Sequence, residues 1–516
     1  MNNDEDKYDG LLLSHPAVNA LGELDDLLLR DESRKSGIAS SFSYPMSVDE
    51  VSAIISRCNI GMIPVTIQGA RTGIAAGAVP GGGHVMNLSR MKVIGEVVID
   101  GVDKYITVQA GATLAELRGK IAGTGLYFPP DPTESSASIG GMVACNASGA
   151  LTFRYGPVRN WVRRIQVVHA DGQVKWYSRG EKDGFVSANN GVIECGGVEF
   201  PEYIRAGVKS AAGYYLTSES NCADIFIGSE GTLGIITEIE LHLIDKPRHI
   251  VGLTTYLPSE EVALQFVRFL RGEVVGSLPV AEVIPCAIEF FNADVLNLLR
   301  KMKTENPAFE KLPNLKPHYH TAVYAEFHND DAEVIDGAVM AAMEAMMELG
   351  GSDEDTWYAD KENDLNAQKD FRHATPEAVN LLIDGRKKTN PEITKLGTDM
   401  SVPDDKLLEV MAMYNDGLKA AGLESVIFGH IGNNHVHVNI LPRSMEEFWQ
   451  GKKLYKKWAE QIVAMGGSIS AEHGIGKMKK ELLLLMYGDE IIKKMVEIKN
   501  IFDPNGILGK GTLFDF

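Results

Sequence analysis

The chain has 516 residues, too many for one ordinary core, so at least two domains are expected. Hydrophobic residues make up 44% and charged residues 23%, the mix of a folded and soluble protein, not of a disordered one. A formal net charge of −20 argues against nucleic acid and anionic membranes as partners, and it means that an anionic substrate needs a local positive pocket.

In chain order, the N-terminal run "MNNDEDKYDG" is acidic, unlike a signal peptide. "VDEVSAIISRC" places Val51, Ile54, Ile55 and Cys58 at i, i+3, i+4 and i+7, which predicts an amphipathic helix. "MIPVTIQG" and "YITVQAG" read as strands, and "TLAELRGKI" as a helix whose Thr113 and Glu116 form a capping box. "VRRIQVVHADGQVKW" is a hairpin pattern about Asp171-Gly172. An alternating strand, Ile239, Leu241 and Leu243, runs into the proline of "IDKPRH", where we place a domain boundary. Beyond it, Leu407, Met411, Tyr414 and Leu418 predict a helix ending at Gly422 before the strand-like "SVIFGH". The five cysteines are scattered and show no C-x-x-C, so a disulfide framework or iron–sulfur cluster is not expected and a reducing, cytoplasmic compartment is. No apolar run is long enough to span a membrane.

Three loops of small residues stand out. "PVTIQGARTGIAAGAVP" spaces Gly69, Gly73 and Gly77 by four, and such glycines let backbone N–H groups approach an anion closely. It matches neither G-x-G-x-x-G nor G-x-x-x-x-G-K-[ST]. On this loop alone, an ordinary glycine-rich turn is an equal alternative. In "PPDPTESSASIGGMVACNASG", three prolines fix a rigid path and small residues leave room for something flat. "FIGSEGTLGIITEIEL" is the third. One large extended ligand would account for all three.

In their order these segments resemble the FAD-binding domain of the vanillyl-alcohol oxidase / p-cresol methylhydroxylase superfamily, in the branch of the D-lactate, glycolate and D-2-hydroxyglutarate dehydrogenases. The resemblance covers roughly residues 35–515. It implies an α+β fold: an N-terminal segment (1–35), an FAD-binding domain of two α+β subdomains of p-cresol methylhydroxylase type (36–246), and a cap domain (247–516). The cap carries an antiparallel sheet flanked by helices, and its C-terminal segment returns to the FAD domain. For cofactor contact it points to Gly69, Ala70, Arg71, Thr72, Gly73, Gly77 and Ala78 of the first loop. From the second it takes Pro130, Asp131, Pro132, Ser138, Gly140, Gly141, Asn146, Ser148 and Gly149. From the third it takes Glu230, Gly231, Gly234, Ile235 and Ile236, and from further on Asn439. Some members attach FAD through a histidine just after the first loop. Here Arg71-Thr72-Gly73-Ile74-Ala75 holds none and His84 lies nine residues on, so FAD is expected to be noncovalent.

The run "FGHIGNNHVHVNI" carries His430, His435 and His437 in a chain with 13 histidines. Along one strand the outer two would lie about 23 Å apart. If the chain reverses at Asn433-Asn434, they oppose each other with Cβ atoms about 4.5–5.5 Å apart, close enough to share an ion. "GGSISAEHGIGKMK" offers Glu472 and His473, whose side chains can meet one site only on the irregular backbone that Gly474 and Gly476 permit. A structural histidine strand and a solvated Glu472 are the alternatives. The resemblance makes His430, His437 and Glu472 metal ligands and His473 the catalytic base. It departs from the branch motif at Asn433 and at Asn434-His435, which leaves His435 without a role.

The implied chemistry is oxidation of a small 2-hydroxy acid, D-lactate-like, to the keto acid. The hydride goes from Cα to flavin N5, and a divalent ion, zinc first with iron or manganese as alternatives, orients the substrate. Arg372 is the aligned arginine for the substrate carboxylate, ahead of the run Asp399, Ser401, Pro403. Where the branch has a lysine this chain has Gly397, with Lys395 nearby, so the acid is not fixed. Arg386, Lys387 and Lys388 read as a solvated face. Electrons would leave to an external acceptor, an electron-transfer flavoprotein, a quinone or a cytochrome. A homodimer stays open. The competing readings are a metal-free flavin enzyme of aromatic alcohols and a non-catalytic electron carrier.

Overall fold

A computed structural model describes Leu12, residues 14–179, 205–217 and 220–515, and the strand pair Val192–Cys195 and Val198–Pro201. The acidic run 1–10 lies outside the described residues. Three larger sheets organise the rest, beside a short pair of Leu126–Tyr127 with Ile244–Asp245, and the first two precede residue 246. One has four strands in the order Val18–Ala20, Ser41–Ser43, His84–Asn87, Val65–Gln68, with the last three parallel. The other has five antiparallel strands, in the order Ile94–Asp100, Asp103–Gln109, Ile235–His242, Val162–Val168, Val174–Ser178.

The first predicted helix runs Val48–Ile60, capped by Ser47, and buries the four apolar positions read from its spacing. The helix Leu114–Ile121 has its capping box: Thr113 accepts from the Glu116 N–H, and Glu116 accepts from that of Thr113. The Asp171-Gly172 hairpin is present, with His169 and Gln173 closing its turn.

The third sheet is antiparallel, with seven strands in the order Thr356–Ala359, His249–Leu257, Thr321–Asn329, Ala287–Phe291, Ser425–Gly429, His437–Ile440, Leu396–Gly397. Helices Glu260–Leu270, Ala293–Glu305, Ala332–Glu348 and Glu362–Lys387 pack on it. The helix Leu407–Ala421 stops at Gly422, whose φ of 64° is the left-handed cap that glycine permits. The chain then comes back to its beginning. The Val65 N–H donates to the Ile507 carbonyl, and the Gly509 N–H donates to that of Val65. That covers the free edge of the first sheet at Val65.

Two expectations are corrected. Cys222 is disulfide-bonded, whereas no disulfide framework was expected in a reducing compartment; Cys58, Cys145 and Cys286 are free. The histidine hairpin does not turn tightly at Asn433-Asn434. Its register pairs Phe428 with His437 and Ile427 with Val438, so His430 lies beyond the paired strand and does not oppose His437. The cause is a 3-10 turn, Ile431–Asn433, followed by Asn434 at φ 48°, which lengthens the connection.

A cleft walled by three loops and a histidine cluster

The three small-residue loops and one end of the seven-stranded sheet enclose a cleft of about 1660 Å³. That exceeds the roughly 300–1,000 Å³ of an ordinary ligand pocket and has room for a dinucleotide beside a substrate. Of the eight non-glycine residues with positive φ among the described residues, Arg71, Ala76, Asn146, Glu230 and Asn434 sit in these loops and the histidine turn. Such backbone costs on the order of 1–3 kcal/mol at each position and collects where a ligand is held. The loops are also tied to one another. Glu230 accepts from the N–H groups of Ile475 (2.8 Å) and Gly476 (2.7 Å), and burial pushes its carboxyl up to about 7. Gly476 has φ 53°, and a Cβ there would lie 1.9 Å from the Ala75 carbonyl oxygen, so no other residue fits between the two loops.

Nearly all the residues expected to touch the cofactor line the cleft. Pro130, Asn146 and Ile235 do not. The Pro130 carbonyl accepts from Arg118, the Asn146 side-chain oxygen accepts from the Arg159 N–H, and Ile235 is fully buried in its sheet. His84 is elsewhere, its ring nitrogens 2.9 and 2.8 Å from the hydroxyls of Ser41 and Ser43.

On the opposite wall, Nε2 of His430 and Nε2 of His437 each lie 3.3 Å from Glu472 Oε1. A tetrahedral ion with bonds of about 2.0–2.1 Å has ligand–ligand edges of about 3.3–3.4 Å, and each of the two nitrogens stands at that distance from the carboxylate oxygen. The far nitrogens are fixed as metal-bound imidazoles require: His430 Nδ1 is 2.7 Å from Glu289 Oε1, and His437 Nδ1 is 2.9 Å from the Thr398 carbonyl. Burial alone would raise the Glu472 carboxyl, but the Lys209 ammonium, with His430 and His435, pulls it well below the usual range. Burial opposes protonation of His430, yet Glu289 and Glu472 outweigh it and push the ring up to about 9. A proton and a cation would therefore compete for one position.

His473 lies beside this cluster, its ring stacked on His437 at 5.3 Å. Its Nδ1 is 3.4 Å from Asp399 Oδ2 and its Nε2 3.6 Å from Glu472 Oε1. Burial, against the pull of Asp399 and Glu472, holds it down to about 4, so the ring is neutral at neutral pH. Asp399, fully buried, accepts from the N–H groups of Glu472 and His473, from Ser470 Oγ and from Lys479. Arg372 lines the same cleft with its guanidinium over the Tyr324 ring at 4.7 Å, and its buried Nε has no partner. Lys395 is on the cleft wall, its ammonium pushed down by burial and by Arg34. Arg386 stands apart, paired with Glu424 at 2.7 Å.

Three members of the site went unrecognised in the sequence. Glu289 had a signal, a carboxylate inside the apolar strand "AIEFF". Asp399 entered only as a motif marker. Lys209 in "VKSAAGYY" has no local pattern, and only the folded chain brings it to Glu472.

Comparison with known proteins agrees with this architecture. Residues 246–513 match the family model "FAD linked oxidases, C-terminal domain", and residues 39–178 match "FAD binding domain". The chain is 30% identical over 483 residues to a D-lactate dehydrogenase of Anaerostipes hadrus, covering 90% of this chain and 88% of the relative. It is 31% identical over 488 residues to a D-2-hydroxyglutarate dehydrogenase of Xanthomonas citri pv. viticola, covering 92% and 89%. The fold is shared with a 4-ethylphenol oxidase from Gulosibacter chungangensis, with TM-score 0.68 at 16% identity over 100% of this chain and 98% of that one. It is also shared with an alkyldihydroxyacetonephosphate synthase, with TM-score 0.64 at 14% identity over 99% and 85%. The chain belongs to the FAD-linked oxidase family. It is an FAD-dependent oxidoreductase.

Proposed function

We propose that this chain oxidises a small D-lactate-like 2-hydroxy acid to its 2-keto acid, with noncovalently held FAD and a divalent ion held by His430, His437 and Glu472. The carrying observation is the convergence of two imidazole Nε2 atoms on one carboxylate oxygen, in the cleft that the three loops also wall. FAD, when bound, supplies a two-electron acceptor. The ion, zinc first among the candidates, supplies a Lewis acid for the substrate's hydroxyl and carboxylate oxygens.

The chain's own residues do the rest. Arg372, a cation on the cleft wall, would meet the substrate carboxylate in a charge-assisted bond. Lys395 adds a second cation on the cleft wall. His473, neutral and oriented by Asp399, accepts the hydroxyl proton. The placement of His84 between two serines, away from the cleft, supports noncovalent FAD.

Anaerobic addition of D- and L-2-hydroxy acids to the flavin-loaded protein tests the activity. D-lactate or a close analogue should bleach the flavin, and no bleaching by any member of the panel would refute the reading. Metal analysis tests the ligands. About one ion per chain is expected in the wild type, and His430→Ala with His437→Ala should lose it while keeping FAD.

A further inference from the structure

We propose that Lys209 and His435 form the outer support of the candidate metal site. Lys209 clamps the second oxygen of Glu472, and His435 carries that restraint to Asp399 without ligating an ion. The inference rests on reading His430, His437 and Glu472 as the ligand set.

A carboxylate offers two oxygens, and only one faces the two imidazoles. Glu472 Oε2 lies 2.8 Å from Lys209 Nζ and accepts from Ser148 Oγ at 3.3 Å. With Oε2 held, the group cannot rotate, and Oε1 alone remains for an ion. The Lys209 side chain is only 5% exposed, a costly place for an ammonium unless it is paired. Its backbone is fixed as well. Ser401 Oγ donates to the Lys209 carbonyl (2.6 Å), and the Ala211 N–H donates to the carbonyl of Ser470 (2.8 Å), two residues before Glu472.

The same ammonium decides what His435 can do. Lys209 Nζ is 3.2 Å from His435 Nδ1. An ammonium only donates, so Nδ1 is the acceptor and Nε2 carries the proton. That Nε2 lies 3.1 Å from Asp399 Oδ1, on the carboxylate that orients His473. Nδ1 is thus engaged by the ammonium, while Nε2 meets Asp399 at close range without an aligned hydrogen bond. His435 Nδ1 is 3.9 Å from Glu472 Oε2, the oxygen turned away from the other two imidazoles. The extra imidazole of this chain is therefore a strut between the ligand carboxylate and the base.

Zinc competition with a chromophoric chelator tests this on the flavin-loaded protein. K209M should weaken zinc binding by roughly 10–100-fold, the usual effect of removing an outer-shell partner, and K209R should recover most of it. His435→Asn should bind zinc within threefold of wild type, with kcat lowered roughly tenfold and KM little changed. If K209M holds zinc as tightly as wild type, the clamp is wrong. If His435→Asn loses zinc as completely as His430→Ala, His435 is a ligand and the strut is wrong. Zinc uptake by neither wild type nor any variant would overturn the reading of the ligand set, and this inference with it.

Discussion

His473 and His84 show how one residue type takes two roles. His473 faces a carboxylate from each ring nitrogen, and it lines the cleft. We expect His473→Asn to keep FAD and metal but slow flavin reduction by roughly 10²–10⁴, read by anaerobic stopped flow. A loss below tenfold would make it an orienting group only. His84 is buried between two serine hydroxyls, and burial pushes its pKa down to about 3. Because the folded state resists protonation, His84 stabilises the fold above about pH 6.5, and that contribution fades as pH falls toward 3. Between pH 6.5 and 5 it should cost on the order of 2 kcal/mol in urea unfolding, and His84→Gln should flatten this part of the pH profile. An unchanged slope in the variant would count against it. What could be read at this scale was identity and local backbone demand: Glu472-His473 between two glycines already required an irregular chain. What could not be read was partnership across hundreds of residues, as between Lys209 and Glu472, 263 positions apart.

Elements were legible where their signals are local. The spacing of Val51, Ile54, Ile55 and Cys58 and the box at Thr113–Glu116 each correspond to a helix with those buried positions or that cap. The histidine hairpin was legible as two strands but not in register, because the pattern cannot distinguish a two-residue reversal from a 3-10 turn with a left-handed Asn434. Loop-to-loop contacts left no trace in the sequence at all. The carboxylate of Glu230 joins the third small-residue loop to the segment after Glu472. Glu230→Ala would leave the N–H groups of Ile475 and Gly476 unpaired, at about 1–3 kcal/mol each. Thermal melts should show the loss, and flavin should wash off on dilution. A variant with wild-type melting and flavin retention would show that the clasp is idle.

For the whole molecule, the decisive property is that the site is assembled from distant parts. The first two sheets provide the loops, while the seven-stranded sheet provides Glu289 and His437, and the turn after its strand Ser425–Gly429 provides His430. No dinucleotide fingerprint of the nicotinamide type and no C-x-x-C occur in the sequence, so we expect reduced flavin to give its electrons to an external acceptor. Reoxidation should be slow in air and fast with an artificial dye, without reduction of NAD. Stopped-flow mixing with air-saturated buffer decides it: oxygen acting as fast as substrate would make the protein an oxidase. Among the described residues no helix is long and apolar enough to cross a membrane.

The return of the chain to Val65 also constrains the order of events during synthesis on the ribosome. The strand Val65–Gln68 lies at the edge of its sheet, and Ile507 and Gly509 supply its outer hydrogen bonds. Close by, Asn505 donates to Asn59 across 446 positions. Until that late segment emerges, the early sheet carries an open rim able to pair with a neighbouring nascent chain. Contacts of such sequence separation also form slowly. The edge at Val65 therefore stays exposed until residues 505–509 have been made, and expression yield should respond to chaperone supply.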